Sequence, residues 1–372
     1  MKDADLKGST TAEVYLPVKD LKDEMPFFIE RLGFRLDEIF PADDPAVAVI
    51  SGHGLRLRLD RDLDAPPGRI RLRHDDPAAA TTAPLTSPSG NTVEVVQANP
   101  PLETPQTQHS YMVRHLRDSD AWVIGRAGMR YRDLIPDRLG GSIIASHIRI
   151  PDGGPVPDMV HYHIVGFQLI FCYRGWVRLV YEDQGPPFVL EAGCCVVQPP
   201  QIRHRVLEAS DNVEVLEIGV PAEHITTIDH EMELPNDRHR PDRDWQGTRF
   251  IHHRESDAKW GPWRLPGWES RDTGIGSATR GVAGVHVARP ASDTGAWAHH
   301  DTDILFTFVK EGRMTLEARG HAPVALVAGD AFVVPPYLAT RYNAVSSDCE
   351  IIEVALGADF RTSLDTQEKA LS

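Results

Sequence analysis

The sequence predicts a mainly β protein: two tandem jelly-roll β-barrels preceded by a small α+β module. Three observations lead there. The 372-residue chain carries 29 glycines and 29 prolines, scattered between short apolar runs, and frequent turns between such runs mark an all-β fold. Only one stretch, near the N-terminus, has a convincing helical period. Finally, the remainder of the chain repeats itself. A chain of this length exceeds one ordinary core, so two or three domains are expected.

Residues 1–98 form the first expected unit. EVYLPV (13–18) reads as a strand. In DLKDEMPFFIERLG (20–33) the apolar residues Leu21, Met25, Phe28, Ile29 and Leu32 follow the 3.6-residue period, and Gly33 fits a helix stop. FRLDEIF, AVAVISG and LRLRL follow as strands. HDDPAAATTAPLTSPSG (74–90) reads as a long loop, and NTVEVV (91–96) closes the unit as a strand. The proline-rich stretch NPPLETPQTQ (99–108) is a linker.

Two copies of one β domain are expected at 110–235 and 248–372, with the polar break NDRHRPDRDWQG (236–247) between them. GMRYRD (128–133) recurs as GWESRD (267–272), and AGCCVVQPP (192–200) as AGDAFVVPP (328–336). The second register continues through Arg205/Arg341, Ser210/Ser346, Glu214/Glu350 and Glu217/Glu353. The first sets His147 on His286 and Arg149 on Ala288.

Composition narrows the function. The formal charge of −15 disfavours nucleic acid and anionic membranes as partners. The start, MKDADLKGST, is polar and has no signal-like apolar region, and no apolar run approaches the roughly 20 residues that span a bilayer. Four irregularly spaced cysteines read as reduced thiols in a cytoplasmic protein. Trp260, Trp263 and Trp268 are expected to pack between the two barrels, while His252 and His253 fall in a linker and read as solvated.

The stretch VHYHIVGFQ (160–168) carries the chemistry. Alternate side chains of a strand share a face, so His161 and His163 project together and Tyr162 points away. Two neutral imidazoles on one face can chelate a divalent metal. Gln168 opens the next run, and Pro199–Pro200 shape a turn before His204, so Gln168 and His204 can complete the ligand set if the strands lie side by side. The second copy has Ala298, His300, Leu305 and Thr340 at these places and is expected to be a degenerate, metal-free copy.

These motifs resemble the cupin superfamily. Gly154, His161, His163, Gln168 and Gly175 match its first motif, with Gln168 at the usual glutamate place, and Gly193, Pro199 and His204 match its second. The resemblance implies that His161, His163 and His204 bind metal inside a barrel. At the metal motifs the chain is similar to the gentisate-type bicupins. Residues 12–96 resemble one module of the glyoxalase/vicinal-oxygen-chelate superfamily, in which Glu13 and Glu94 occupy the ligand places.

Three imidazoles and an amide are neutral and leave a bound ion its full charge, which suits an anionic, bidentate substrate. Nitrogen and oxygen ligands fit Fe(II), the favoured ion, and also Mn(II), Ni(II), Co(II) or Zn(II). The expected function is a mononuclear dioxygenase acting on an enol, diketone or hydroxy-aromatic acid. O₂-independent isomerisation, decarboxylation or hydrolysis, and a non-enzymatic ligand-binding cupin, are the alternatives. Arg149 would clamp a substrate carboxylate, and Ile170 and Cys172 would share the inward face with Gln168. The expected partners are a small anionic substrate, O₂ and a second copy in a homo-oligomer.

Overall fold

The computed structural model describes residues 10–118, 122–125, 128–292 and 295–365; the polar start 1–9 lies outside the described residues. The chain divides into two bodies, Met1–Pro101 and Leu102–Ser372. Among the described residues no helix is long and apolar enough to cross a membrane.

In the first body, a four-stranded sheet runs Val14–Pro17, Leu55–Asp60, Val47–Gly52, Arg35–Phe40 from edge to edge. The helix between its first two strands is an α-helix over Leu21–Pro26 that widens to a π-turn over Phe27–Arg31, so it ends two residues earlier than its periodicity predicts. Asp20 caps it by accepting from the Lys22 amide at 2.8 Å. Leu21 and Phe28 pack on Ile50, Leu57 and Leu59 of the sheet. The helix also buries Glu24, whose carboxylate accepts from the Ser89 amide (2.9 Å) and the Asn91 side chain (3.2 Å). That bond explains the SPSGN segment: it is a polar clasp on the helix. A strand not expected from sequence, Arg69–His74, pairs in parallel with Thr92–Gln97.

Among the described residues the second body has four large sheets and a two-stranded one, Asp244–Trp245 with Thr248–Arg249. One seven-stranded sheet runs Ile251–His253, Cys195–Val197, Phe167–Arg174, Val213–Val220, Ile144–Ile150, Arg130–Asp133, Val123–Ile124, and a six-stranded sheet centred on Trp176–Tyr181 and His204–Ala209 faces it. Ile148, Cys172 and Val196 of the first meet Val177, Leu179 and Leu190 of the second to form one core. The later half repeats this with a seven-stranded and a five-stranded sheet around Val309, Phe332, Met314 and Leu316.

The two seven-stranded sheets also share a third core. Leu169, Phe171, Leu216 and Ile218 of the earlier half pack with Val287, Phe306, Phe308 and Ile352 of the later half. Strand Phe167–Arg174 thus packs on a core at each face, which is why most of its residues are buried. Its odd-numbered residues Phe167, Leu169, Phe171 and Tyr173 serve the shared core. Gly175 turns the chain at φ +72°, and Gly312 does so at φ +69° in the later half. At each place a Cβ would strike the hydroxyl of Ser210 or Ser346.

The halves also exchange strands. Met112–Arg114 pairs with Ala331–Val334 of the later half, and Ile251–His253 pairs with Cys195–Val197 of the earlier. The expected boundaries 110–235 and 248–372 are crossed by both strands. Two buried arginines tie the same seam. Arg132 donates to the Gly329 carbonyl (2.6 Å), and Arg271 donates to the Gly193 carbonyl (2.9 Å). His252 and His253, expected in a solvated linker, sit on the exchanged strand; His252 stacks on Phe188 at 4.3 Å, and burial pushes its pKa down to about 4. Trp263 and Trp268 join the later half's own core, and of the three tryptophans only Trp260 packs on the shared one.

Strand pairing corrects the repeat alignment over one strand. Arg132 lies opposite His147 and Asp133 opposite Ser146, whereas Arg271 lies opposite Val287 and Asp272 opposite His286. From the other side, Ser146 faces Glu217 and His286 faces Glu353. His147 therefore corresponds to Val287, and Arg149 to Arg289 rather than Ala288. The connection before the strand is one residue longer in the later half, and a one-residue slip exchanges the two faces of a strand.

Arg271 is fully buried and bonds Gly193, His253 and Glu255. Arg271→Leu should lower the unfolding free energy by about 3 kcal/mol, because it strands a buried carbonyl and deletes charge-assisted bonds. Urea denaturation measures this.

Candidate metal centre

Three buried imidazoles converge inside the earlier half. His161 and His163 lie at the two ends of strand His161–His163. Alternation turns Tyr162 away from them, under the Arg203 guanidinium at 4.2 Å. His204 opens the neighbouring strand and is paired directly opposite His161. The Pro199–Pro200 turn is tied to the same place, since the Gln201 amide donates to the His163 carbonyl at 3.0 Å. The ring centroids are 4.3 Å apart for His161 and His204, and 5.2 Å for each of the other two pairs. The three ligand atoms lie within 4.8 Å of one another.

Each ring is oriented through Nδ1. That atom meets the Met159 carbonyl at 2.7 Å in His161, the Ile202 carbonyl at 3.0 Å in His204, and the Thr226 hydroxyl at 2.9 Å in His163. A carbonyl only accepts, so Nδ1 of His161 and His204 must donate, which puts the lone pair on Nε2. This is the tautomer that a metal ligand needs, and the donor set fits a divalent ion bound at about 2.0–2.1 Å per imidazole.

The imidazoles open on a cavity whose empty space, counted out to solvent, is about 610 Å³. Its walls are mostly apolar and include Met129, Ile148, Ile170, Leu179 and Val206; Tyr131, Tyr181, Gln198 and Glu217 are its other polar members. Tyr181 stacks on His204 at 5.5 Å, and its hydroxyl accepts from the Gln198 amide at 3.1 Å. Burial pushes the Tyr181 phenol well above its usual pKa, so it stays protonated.

The sequence-derived site residues divide at this cavity. Ile170 lines it. Gln168 is buried, and its amide nitrogen donates to the Glu217 carboxylate at 2.6 Å; Glu217, not Gln168, lines the cavity. Cys172 belongs to the packed core instead: its thiol lies 3.5 Å from the Gly175 carbonyl, and burial pushes its pKa up to about 12. Arg149 is corrected outright. Ile148 and Ile150 line the cavity, so alternation turns Arg149 to the opposite face, where it donates to the Asn212 side chain at 2.5 Å. It cannot clamp a substrate in this cavity.

Two groups escaped sequence reasoning. Glu217 served there only as a repeat marker, yet Val213, Val215 and Glu217 alternate along one strand and all line the cavity. The surroundings of the imidazoles are therefore not wholly neutral. His224 packs against His163 at 5.3 Å, with its Nδ1 3.1 Å from the Pro221 carbonyl. No spacing in the sequence signals it.

The later half treats the equivalent places differently. Ala298 pairs with Thr340 as His161 pairs with His204. Glu353, the counterpart of Glu217, is held by Arg264 through two contacts, one of them Nε to Oε1 at 2.8 Å. His300 meets the Val334 carbonyl through Nε2 at 3.1 Å, and burial, then the charge of Arg264, pushes its pKa down to about 4. One imidazole remains where the earlier half has three. In the first body, Glu13 bonds Arg56 at 2.8 Å, and Glu94 bonds Arg69 and Arg71.

No protein-family model matches the chain, and no curated protein does either. Solved structures do. The salicylate 1,2-dioxygenase of Pseudaminobacter salicylatoxidans is 16% identical, with a TM-score of 0.51 over 71% of this chain and 91% of that one. A variant of the same enzyme in complex with gentisate gives 0.52 at 16% identity, over 71% and 88%. A variant of the Bacillus subtilis oxalate decarboxylase gives 0.50 at 13% identity, over 71% and 82%. At these identities the likeness is one of fold alone.

His204→Ala should drop bound divalent metal from about one ion per chain to near none while the far-ultraviolet dichroism stays unchanged; elemental analysis of purified protein checks it. His300 gives a pH signature. Its folded pKa of about 4 lies below the ordinary 6.5, so the unfolded chain takes up the proton first. Its contribution is complete above pH 6.5 and is lost as pH falls toward 4. The loss at pH 5 should be about 2 kcal/mol. Urea unfolding at pH 7 and pH 5 should show that slope on top of the one His252 contributes, and His300→Leu should remove only its own share.

Proposed function

We propose that this chain is a bicupin metalloenzyme, a mononuclear non-haem Fe(II) dioxygenase cleaving a small chelating enol, diketone or hydroxy-aromatic substrate. The observation that carries the reading is the buried His161, His163, His204 triad, oriented by Nδ1 bonds and open to an apolar cavity. A divalent ion supplies Lewis-acid polarisation of a chelating oxygen pair, and iron adds redox chemistry with dioxygen. The chain's own residues do the rest. The three imidazoles hold the ion by Nε2. The Gln168 amide is the fourth donor in this reading, its orientation set by Glu217. Ile148, Ile170 and Leu179 exclude water from the reacting face.

We assign the two cupin copies to 110–235 and 248–372, with the later one lacking the ligand set, and read 1–98 as a glyoxalase-like module. The helix between the first two strands, and the sheet order with the first strand beside the fourth, support that last assignment. A second reading, O₂-independent Lewis-acid catalysis, is favoured by the Glu217 carboxylate, which can accept a substrate proton inside the cavity.

Anaerobic reconstitution with Fe(II), followed by oxygen-electrode measurement with enols, diketones and gentisate, separates the two. Stoichiometric O₂ uptake with substrate loss is expected. Turnover that persists in strict anoxia transfers the reaction to the second reading, and a zinc-filled protein that consumes no O₂ with any of them ends the first.

A further inference from the structure

The charge pattern of the cavity narrows the substrate further. Among the described residues lining it, none is lysine or arginine, and the one carboxylate is Glu217. Arg149 is turned to the opposite face of its strand. The later half shows what the fold does when a carboxylate at this place is matched by a cation: Arg264 holds Glu353. In the earlier half the hydrogen-bond donor to Glu217 is the uncharged Gln168 amide.

A chelating oxygen pair has its charge compensated by the metal. A further carboxylate on the substrate would not. It would be buried against Met129, Ile148 and Ile170, with Glu217 as the nearest charge on the wall. Burying an unpaired charge in such a wall is strongly unfavourable, and a like charge in the same cavity adds to it. An aryl or alkyl group gains from the same wall.

We infer that the substrate is uncharged outside its chelating oxygens and flanked by apolar groups, as in an aryl or alkyl diketone, and that Glu217 sets this preference by rejecting carboxylates. The inference rests on the metal-centred reading above and departs from the anionic acids that the motifs alone suggest.

The test is anaerobic titration calorimetry on the Fe(II)-loaded chain with benzoylacetone and with its para-carboxylated analogue, which has the same chelating oxygens plus one carboxylate outside them, each followed also by its charge-transfer absorption. Benzoylacetone should bind at least about tenfold tighter than the carboxylated analogue. Glu217→Gln should bring the ratio near unity, chiefly by tightening the carboxylated analogue. Equal or tighter binding of the carboxylated analogue to the wild-type chain overturns the inference, and that comparison stands even if the variant fails to fold. A folded variant with an unchanged ratio overturns the role of Glu217. Binding of iron with neither probe overturns the substrate class and leaves the metal centre intact. Failure to retain any iron overturns the inference together with the function it rests on.

Discussion

The pairing of His161 directly opposite His204 is the constraint on which the site depends. It joins two motifs far apart in the chain, and the two-residue alternation then brings His163 to the same face. The Nδ1 bonds to main-chain carbonyls do the finer work. Because those acceptors are backbone, the tautomer and tilt of His161 and His204 are set by the same strands that bring the rings together. A slip of one residue in either strand would send the imidazoles outward and lose both effects at once.

The rest of the second body holds that register in place. The earlier half is clamped on one side by its own core and on the other by a core shared with its twin. Exchanged strands and the matched bonds Arg132 to Gly329 and Arg271 to Gly193 make the seam reciprocal. Each arginine comes from a strand of one seven-stranded sheet and satisfies a carbonyl of the other half. A half removed from its twin would expose the shared face and leave these buried groups without partners, so the two halves are one folding body.

The halves solve one electrostatic problem in two ways. Both place a glutamate at the same point of the fold, fully buried at Glu353 and half-buried at Glu217. In the later half a guanidinium pairs with Glu353 within the chain, and His300 remains neutral beside it. In the earlier half Glu217 bonds an amide, and three imidazoles line the cavity around it. Divergence between the copies is thus a change in where positive charge comes from, on a scaffold whose strand pairing is conserved between them.

Much of this was legible in residue order. The two-residue alternation of HYH, the recurrence of AGCCVVQPP as AGDAFVVPP and the loss of histidines at Ala298 and Thr340 are local patterns, and period and spacing suffice to read them. What residue order could not decide is which side of a neighbouring strand faces in. Residue identity alone sets Arg149 on Ala288, because it does not register the extra residue that precedes the later strand; pairing moves it onto Arg289 and turns it out of the cavity. Glu217 was visible as a repeat marker, but only the sheet order puts its strand beside Gln168 and its carboxylate in the cavity. The strand exchange is likewise invisible to spacing, since a chain can enter either of two like sheets with the same local sequence. Residue order is enough to say which side chains can bind a metal and that the later copy lacks most of them. Which strand faces meet is settled by long-range register, and no stretch read alone contains it.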